Sequence, residues 1–506
     1  MSDQKRMDAL RAYSHEIHTW GSIGQLLHWD QETYMPPAAI EARSQQIALH
    51  AHHVHKLKTS PRMKQLLGHW VDLKTGRIKK RGLSLDERLI LREWYKEYWR
   101  CTKLPASFVR QFSELTSRAS QAWAEAKRNN QFELFAPYLE QIVAMNRKKA
   151  EVLEYDEHPY DALLALYEHS ISHRRVKKIF GRLKKELAKL LQEIAQAKPV
   201  DDSFLQGGFD PEVQMRVGKE ILALLPIDPE RNRLDVSSHP FSIAPHPNDS
   251  RITTRLLDNP MSNLFSVLHE AGHAMYEMGL PLEHWGTPLA EAVSLAAHES
   301  QSRWWETRIG RSRPFWQFAY PRLKEAFPDH FRKVSFDQFY RAIHKVEPSL
   351  IRVEADEVTY GLHVILRFEI EEALIEGKLS VADVPAAWNA QMQELLGVTP
   401  PNDTLGCLQD IHWSLGDMGY FPTYTLGNLM AAQLFETFEK KFPQWEKRVA
   451  KGDLAFIRDW LQKEVHQHGR RYNADELVRR ITGKPLSEKA YVKYLRDKYR
   501  ALYQLT

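Results

Sequence analysis

His269-Glu270-Ala271-Gly272-His273 lies between Asn263-Leu264-Phe265-Ser266-Val267-Leu268 and Ala274-Met275-Tyr276, and the reading of this stretch decides the fold. Apolar residues of both flanks recur at helical spacing and Ser262 or Asn263 supplies an N-cap, so the five residues fall on an α-helix. Positions i and i+4 share one helix face, one turn apart, so His269 and His273 can aim two imidazoles at one point. Two neutral nitrogens in that geometry suit zinc. Glu270, one residue along from His269, can then stand beside the ion and take a proton from bound water instead of ligating. Catalytic zinc takes a third protein ligand and keeps one position open. Glu299, 26 residues after His273, is the choice for that ligand, because it lies mid-way along a helical run, 289–310, that can return antiparallel to the first.

With 23 histidines in 506 residues, a chain of this composition carries such a motif by accident about 0.05–0.1 times. The helical flanks strengthen the metal reading; the bland alternative is two partly buried histidines on a core helix. A metzincin continuation would need glycine at 276 and histidine at 279, where the chain has Tyr276 and Gly279. The site is therefore of the His/His/Glu kind.

Length permits a large core. No Gly/Ser-rich linker or low-complexity tract interrupts the chain, and it reads as one body rich in helix. Two cysteines, Cys101 and Cys407, are too few for a disulfide framework and suit a reducing, cytoplasmic compartment. No run of 18 apolar residues and no apolar leader occurs, so secretion and membrane spanning are not expected. The formal net charge is +5. Basic groups such as Arg77-Ile78-Lys79-Lys80-Arg81 interleave with apolar residues and with 65 acidic ones, which argues against a nucleic-acid partner.

Helical periodicity covers residues 3–31, 37–73, 84–103, 106–129, 131–155, 158–171, 173–197 and 211–225. Between 229 and 260 short β-branched runs, Arg233-Leu234-Asp235-Val236, His239 to Ala244 and Ser250 to Arg255, predict a small β-sheet. Its edge can pair with an extended peptide, or the hairpin merely caps the helices. Ile351 opens a long helix to about residue 376, whose one face carries Arg352, Asp356, Tyr360 and His363; that polar stripe either lines a cleft or is solvated. Gly406 to Trp413 leads into a glycine- and aromatic-rich loop through Tyr424, a kind of loop that often carries function.

Six motifs in order resemble the carboxypeptidase Taq family of metallocarboxypeptidases. They are Trp29-Asp30 with Met35-Pro36, Asp249-Ser250-Arg251-Ile252-Thr253, His269 to His273, His298-Glu299-Ser300-Gln301, Ile351 to Asp356, and Gly406 to Trp413. The resemblance covers the chain from near its start to its end. It implies a mainly α fold, a large helical zincin-type body with a deep central groove and a small β-sheet beside the metal helix. In that picture 1–506 is one catalytic unit, with 1–225 covering the groove and 226–506 holding metal and substrate. It further implies Zn²⁺, with Co²⁺ accepted in its place, removal of C-terminal residues from peptides with broad specificity, and a homodimer. Metal ligands would be His269, His273 and Glu299, and Glu270 the general base. His412 with Tyr420 or Tyr424 would stabilise the oxyanion, and Asp249, Arg251, His298 and Gln409 would belong to the substrate site. Arg352 would grip the substrate's terminal carboxylate, with Asp356 holding its fork in place. Arg352 and Asp356 forming only a surface i,i+4 pair is the bland alternative. A helical zinc oligoendopeptidase or dipeptidase would share the metal residues without needing a carboxylate anchor, and a metal-free peptide-binding scaffold would keep only the groove.

Overall fold

A computed structural model describes residues 2–505. Ser2 accepts the Lys5 amide at 3.4 Å and starts a 31-residue helix, Asp3–Thr33, which stops before Pro36-Pro37. Helix Ile40–Thr59 packs back along it and buries no side chain completely. The expected run 37–73 is broken at Ser60-Pro61. Ser60 Oγ accepts the Met63 amide at 3.0 Å and Pro61 takes the first helical position, so a new helix, Pro61–Trp70, begins there. Leu85–Lys103 opens with a capping box between Ser84 and Glu87. Of the expected run 158–171 only Pro159–Leu164 is helical. Beyond it the chain turns to bury Glu168 against the Ala296 amide.

The β-segment forms a three-stranded sheet of β1 (Asn232–Val236), β2 (Ser242–His246) and β3 (Asp249–Thr254). β3 is central, parallel to β1 and antiparallel to β2, with a bulge between Ile243 and His246. The first helix covers part of the β2 edge, because the Ala244 amide donates to Gln25 Oε1 at 3.0 Å. A short connection from β3 leads into the motif helix, Pro260–Met278. Its cap is Asn259, whose side chain accepts the Met261 amide at 2.9 Å, and not Ser262 or Asn263. Asn263 is buried instead, accepting from Thr254 Oγ1 and donating to the Gln214 carbonyl.

The interior does not divide at residue 225. Leu163 and Phe180 share a core with Leu366 and Phe368, while the motif helix packs among aromatics that include Trp304, Trp316 and Trp460. The expected long helix from 351 is two pieces. Arg352–Glu354 makes one 3-10 turn, and the helix Tyr360–Glu376 starts after Asp356 Oδ1 has accepted the amides of Val358 and Thr359. Asp356 thus closes the turn that leads into this helix, whose N-cap position is Thr359. Tyr360 and His363 are buried, so no solvated stripe exists. No helix among the described residues is long and apolar enough to cross a membrane.

Candidate metal centre and substrate groove

Helix Leu295–Arg303 crosses the motif helix at Gly272. A Cβ on Gly272 would lie 2.5 Å from the Gln301 carbonyl oxygen and 2.6 Å from Ser302 Cα, so only glycine permits this approach. A third helix, Pro422–Lys441, closes on the other side. There a Cβ on Gly427 would sit 2.6 Å from Glu299 Cγ. The crossing brings His269 Nε2 and His273 Nε2 each to 3.5 Å from Glu299 Oε2, and the three donors lie within 4.8 Å of one another. Replacing Gly272 by alanine should cost about 1–3 kcal/mol through overpacking against backbone and should weaken metal affinity with it. Denaturation midpoints and metal titration check this, and a variant unchanged in both would show that the crossing tolerates a methyl group.

A layer of side chains that the motif does not announce orients the three. Glu306, on the π-helical turn Trp304–Ile309 that continues from Arg303, accepts from His269 Nδ1 at 2.8 Å, which leaves the Nε2 lone pair for a cation. Arg303 donates to Glu299 at 2.7 Å and to Glu306 at 3.1 Å, and Ser302 Oγ lies 3.0 Å from Glu299 Oε2. Burial opposes charge on Glu299, but Arg303 and His269 outweigh it and hold the carboxyl well below its ordinary range. Burial, with His298 and His269 nearby, lowers His273 to about 3, so its ring is neutral, as a ligand must be. Glu270 is only 6% exposed, and burial pushes its carboxyl up to about 7. The neutral His273 ring, the ionised Glu299 carboxylate and the carboxylate-backed His269 fit a divalent metal of the zinc type. Glu306 and Arg303 had a sequence signal: Glu299, Arg303 and Glu306 are spaced to share one helix face.

A second convergence, His158, His173 and Glu372, does not fit a metal. His158 Nδ1 accepts the Tyr160 amide at 3.1 Å, so its Nε2 carries a proton toward Glu376 at 3.0 Å. The Lys177 ammonium already lies 2.7 Å from Glu372.

On the far side of Glu299 the loop and Arg352 come together. Arg352, 5% exposed, donates from Nε and Nη2 to Asp410 Oδ1 at 3.1 and 2.8 Å and from Nη1 to the Tyr360 hydroxyl at 3.3 Å. Asp410, and not Asp356, therefore holds the fork. Arg367, fully buried, donates to Asp410 Oδ2 at 2.6 Å and to Gln409 Oε1 at 2.7 Å. Burial and the neighbouring Arg352 pull its guanidinium down to about 10 against the opposing effect of Asp410. Gln409 also accepts the Arg352 amide and donates its own NH₂ to the Leu350, Leu405 and Gly406 carbonyls, so its hydrogen bonds hold the loop.

His412 Nε2 lies 3.1 Å from the Tyr424 hydroxyl, and burial lowers the imidazole to about 4, so it is neutral at pH 7. Tyr420 packs against both rings, at 5.2 Å from His412 and 5.4 Å from Tyr424. Burial and then the Glu299 charge raise the Tyr420 hydroxyl above its ordinary range. His298 stacks on His273 at 4.4 Å and bonds Glu277 at 2.8 Å, one ring behind the centre. Asp249 and Arg251 satisfy each other on β3 through bonds of 2.8 and 2.9 Å, and the guanidinium lies 4.5 Å over the Trp29 ring.

Residues 9–499 match the model of the carboxypeptidase Taq (M32) metallopeptidase family. The chain belongs to that family. It is 40% identical to thermostable carboxypeptidase 1 of Thermus thermophilus over 99% of this chain and 100% of that one. With carboxypeptidase 1 of Bacillus subtilis it shares 37% over 99% of each chain. The crystal structure of the M32 carboxypeptidase from Deinococcus radiodurans superposes with a TM-score of 0.95 at 36% identity, covering 99% of this chain and 100% of that one. The fold is thus the mainly helical M32 body with a small mixed sheet, and the protein is a metallocarboxypeptidase with a His269/His273/Glu299 candidate metal site.

Proposed function

We propose that this M32 metallocarboxypeptidase removes single residues from the free C-termini of peptides of varied sequence, with Zn²⁺, replaceable by Co²⁺, held by His269, His273 and Glu299. The observation that carries the reading is the cluster of two buried guanidiniums, Arg352 and Arg367, sharing the one carboxylate of Asp410. A buried excess of positive charge is costly until another anion arrives. After its bonds to Asp410 and Tyr360, Arg352 keeps one N–H on each of Nη1 and Nη2 to offer to a terminal carboxylate. An endopeptidase has no use for such a counter-charge.

Bound zinc supplies Lewis-acid polarisation and lowers the pKa of its water toward about 7. Glu270 accepts the proton of the attacking water and returns one to the leaving amine. In this reading His412, Tyr420 and Tyr424, which pack against one another, donate to the carbonyl oxygen and stabilise its negative charge. Truncating His412 to alanine should cost about 2.7–4 kcal/mol of transition-state stabilisation, read mainly in kcat. A change confined to KM would reassign it to binding. His298, Asp249, Arg251 and Gln409 act in this reading through neighbours: His298 backs His273, Gln409 fixes the arginine loop, and the Asp249/Arg251 pair stiffens β3 against Trp29.

Residues 1–225 cover the groove in this proposal and 226–506 carry metal and substrate. Cys101 and Cys407 are both unpaired, which suits a cytoplasmic setting, and a homodimer is the assembly that the family resemblance implies. Free-acid and C-terminally amidated peptides incubated with metal-loaded protein, and read by mass, test the function. Stepwise loss of single C-terminal residues from the free acids alone is expected; internal cuts in both would favour an oligoendopeptidase or dipeptidase.

A further inference from the structure

Behind His298 lies a cavity of about 640 Å³ whose wall includes Glu277, Ser294, Leu295 and Trp285. Helix Leu295–Arg303 runs from this cavity past Glu299 to Arg303. The Arg303 guanidinium lies 4.5 Å over Tyr360, and the Tyr360 hydroxyl is 3.3 Å from Arg352. The cavity and the buried arginines therefore lie toward opposite ends of that helix, with Glu299 between them. A peptide whose carboxylate reaches Arg352 and whose scissile bond reaches the metal ligands sends its upstream residues toward the cavity.

Four carboxylates line the cavity against three lysine or arginine cations. Glu93 is paired with Arg92 and Lys96, Glu97 with Lys58 and Arg100, and Glu291 with Arg470 and His18. Glu277 has no lysine or arginine partner among the described residues. Its Oε1 accepts from His298 at 2.8 Å, and its side chain keeps 23% exposure. It stands one helical turn beyond His273, about 6 Å along the axis. An extended peptide advances about 3.3–3.6 Å per residue, so a group two residues upstream of the scissile carbonyl comes within its reach.

We infer that Glu277 is a cation-recognising subsite for the upstream end of the substrate, taking an ammonium or guanidinium group. That group is either the free amino terminus of a short peptide or a lysine or arginine side chain. The inference rests on the carboxypeptidase reading, which supplies the direction of the peptide. Glu277→Gln keeps the oxygen that accepts from His298 and removes only the charge.

The test compares kcat/KM of zinc-loaded native and E277Q protein on a tripeptide with a free amine, on its N-acetylated form, and on N-acetylated tripeptides beginning with lysine or norleucine. Native protein should favour the cationic member of at least one pair about five- to tenfold, as expected for a half-buried charge contact, and E277Q should lose that ratio. The free-amine pair and the lysine–norleucine pair tell the two sources apart. Equal native rates within both pairs, or a full preference kept by E277Q, would overturn the subsite while leaving the carboxypeptidase reading intact. If E277Q does not fold, E277D, with its carboxylate drawn back by one methylene, should show a reduced ratio, and an unreduced one overturns the subsite. Absence of hydrolysis on every peptide would sink the carboxypeptidase reading. Calorimetric titration with the same peptides then decides the subsite by whether the cationic members bind more tightly.

Discussion

Replacing Glu270 by glutamine is expected to leave zinc bound and to lower kcat by about 10²–10⁴-fold, the range for loss of a positioned acid–base group. Glutamine keeps the shape of a side chain that is almost wholly enclosed, so the ligands next to it have no reason to move. What disappears is the carboxylate that takes the water's proton. Burial raises this carboxyl to about 7, and a divalent cation bound beside it lowers that value again, so the loaded protein carries an ionised base at neutral pH. Metal content and turnover must be measured on the same sample: a variant that keeps zinc and a near-native kcat refutes the role. The chelated protein offers a second signature. The folded pKa lies above the unfolded value of about 4.3, so the native state holds the proton more tightly and this group makes stability fall as pH rises from about 4.3 through 7. Glutamine removes that slope.

Removing Arg352 and amidating the peptide should each cost about 2–5 kcal/mol in kcat/KM, because each deprives a buried charge of its partner. The two losses should not add, since both delete one contact. Arg352→Ala leaves Asp410 paired with Arg367 at 2.6 Å, so the carboxylate is not orphaned and the variant should fold. The cycle of native and variant protein against free-acid and amidated peptides decides. Equal cleavage of both peptides by the native protein, or full retention of the free-acid preference by Arg352→Ala, would end the anchor reading in favour of an endopeptidase.

Much of the site was legible because helix geometry is local. Residues i and i+4 share a face whatever surrounds them, and so the meeting of His269 and His273 could be read from spacing alone. Glu299 was reachable as the next carboxylate mid-way along a helical run. Its second layer was only half legible: Glu306 and Arg303 stand at helical intervals from Glu299, but the π-helical turn that aims Glu306 at His269 leaves no mark in that spacing. The expected partnership of Arg352 with Asp356 failed for a local reason. Asp356 gives its carboxylate to the Val358 and Thr359 amides of the turn before the next helix, a local bond that aspartate makes readily.

Periodicity, capping and i,i+4 spacing act over a few residues, so the order of amino acids suffices for the helical body, the small sheet before the motif helix and the candidate metal-site residues. Tertiary structure alone decided which distant groups meet. It brought Asp410 and Arg367 to Arg352 across 58 and 15 positions, put Gly272 and Gly427 against backbone and side chain of the Glu299 helix, and left Glu277 with no lysine or arginine partner among the described residues. Those outcomes depend on close packing of helices far apart in the chain, where a methyl group more or less sets the distance, and no local pattern encodes that distance.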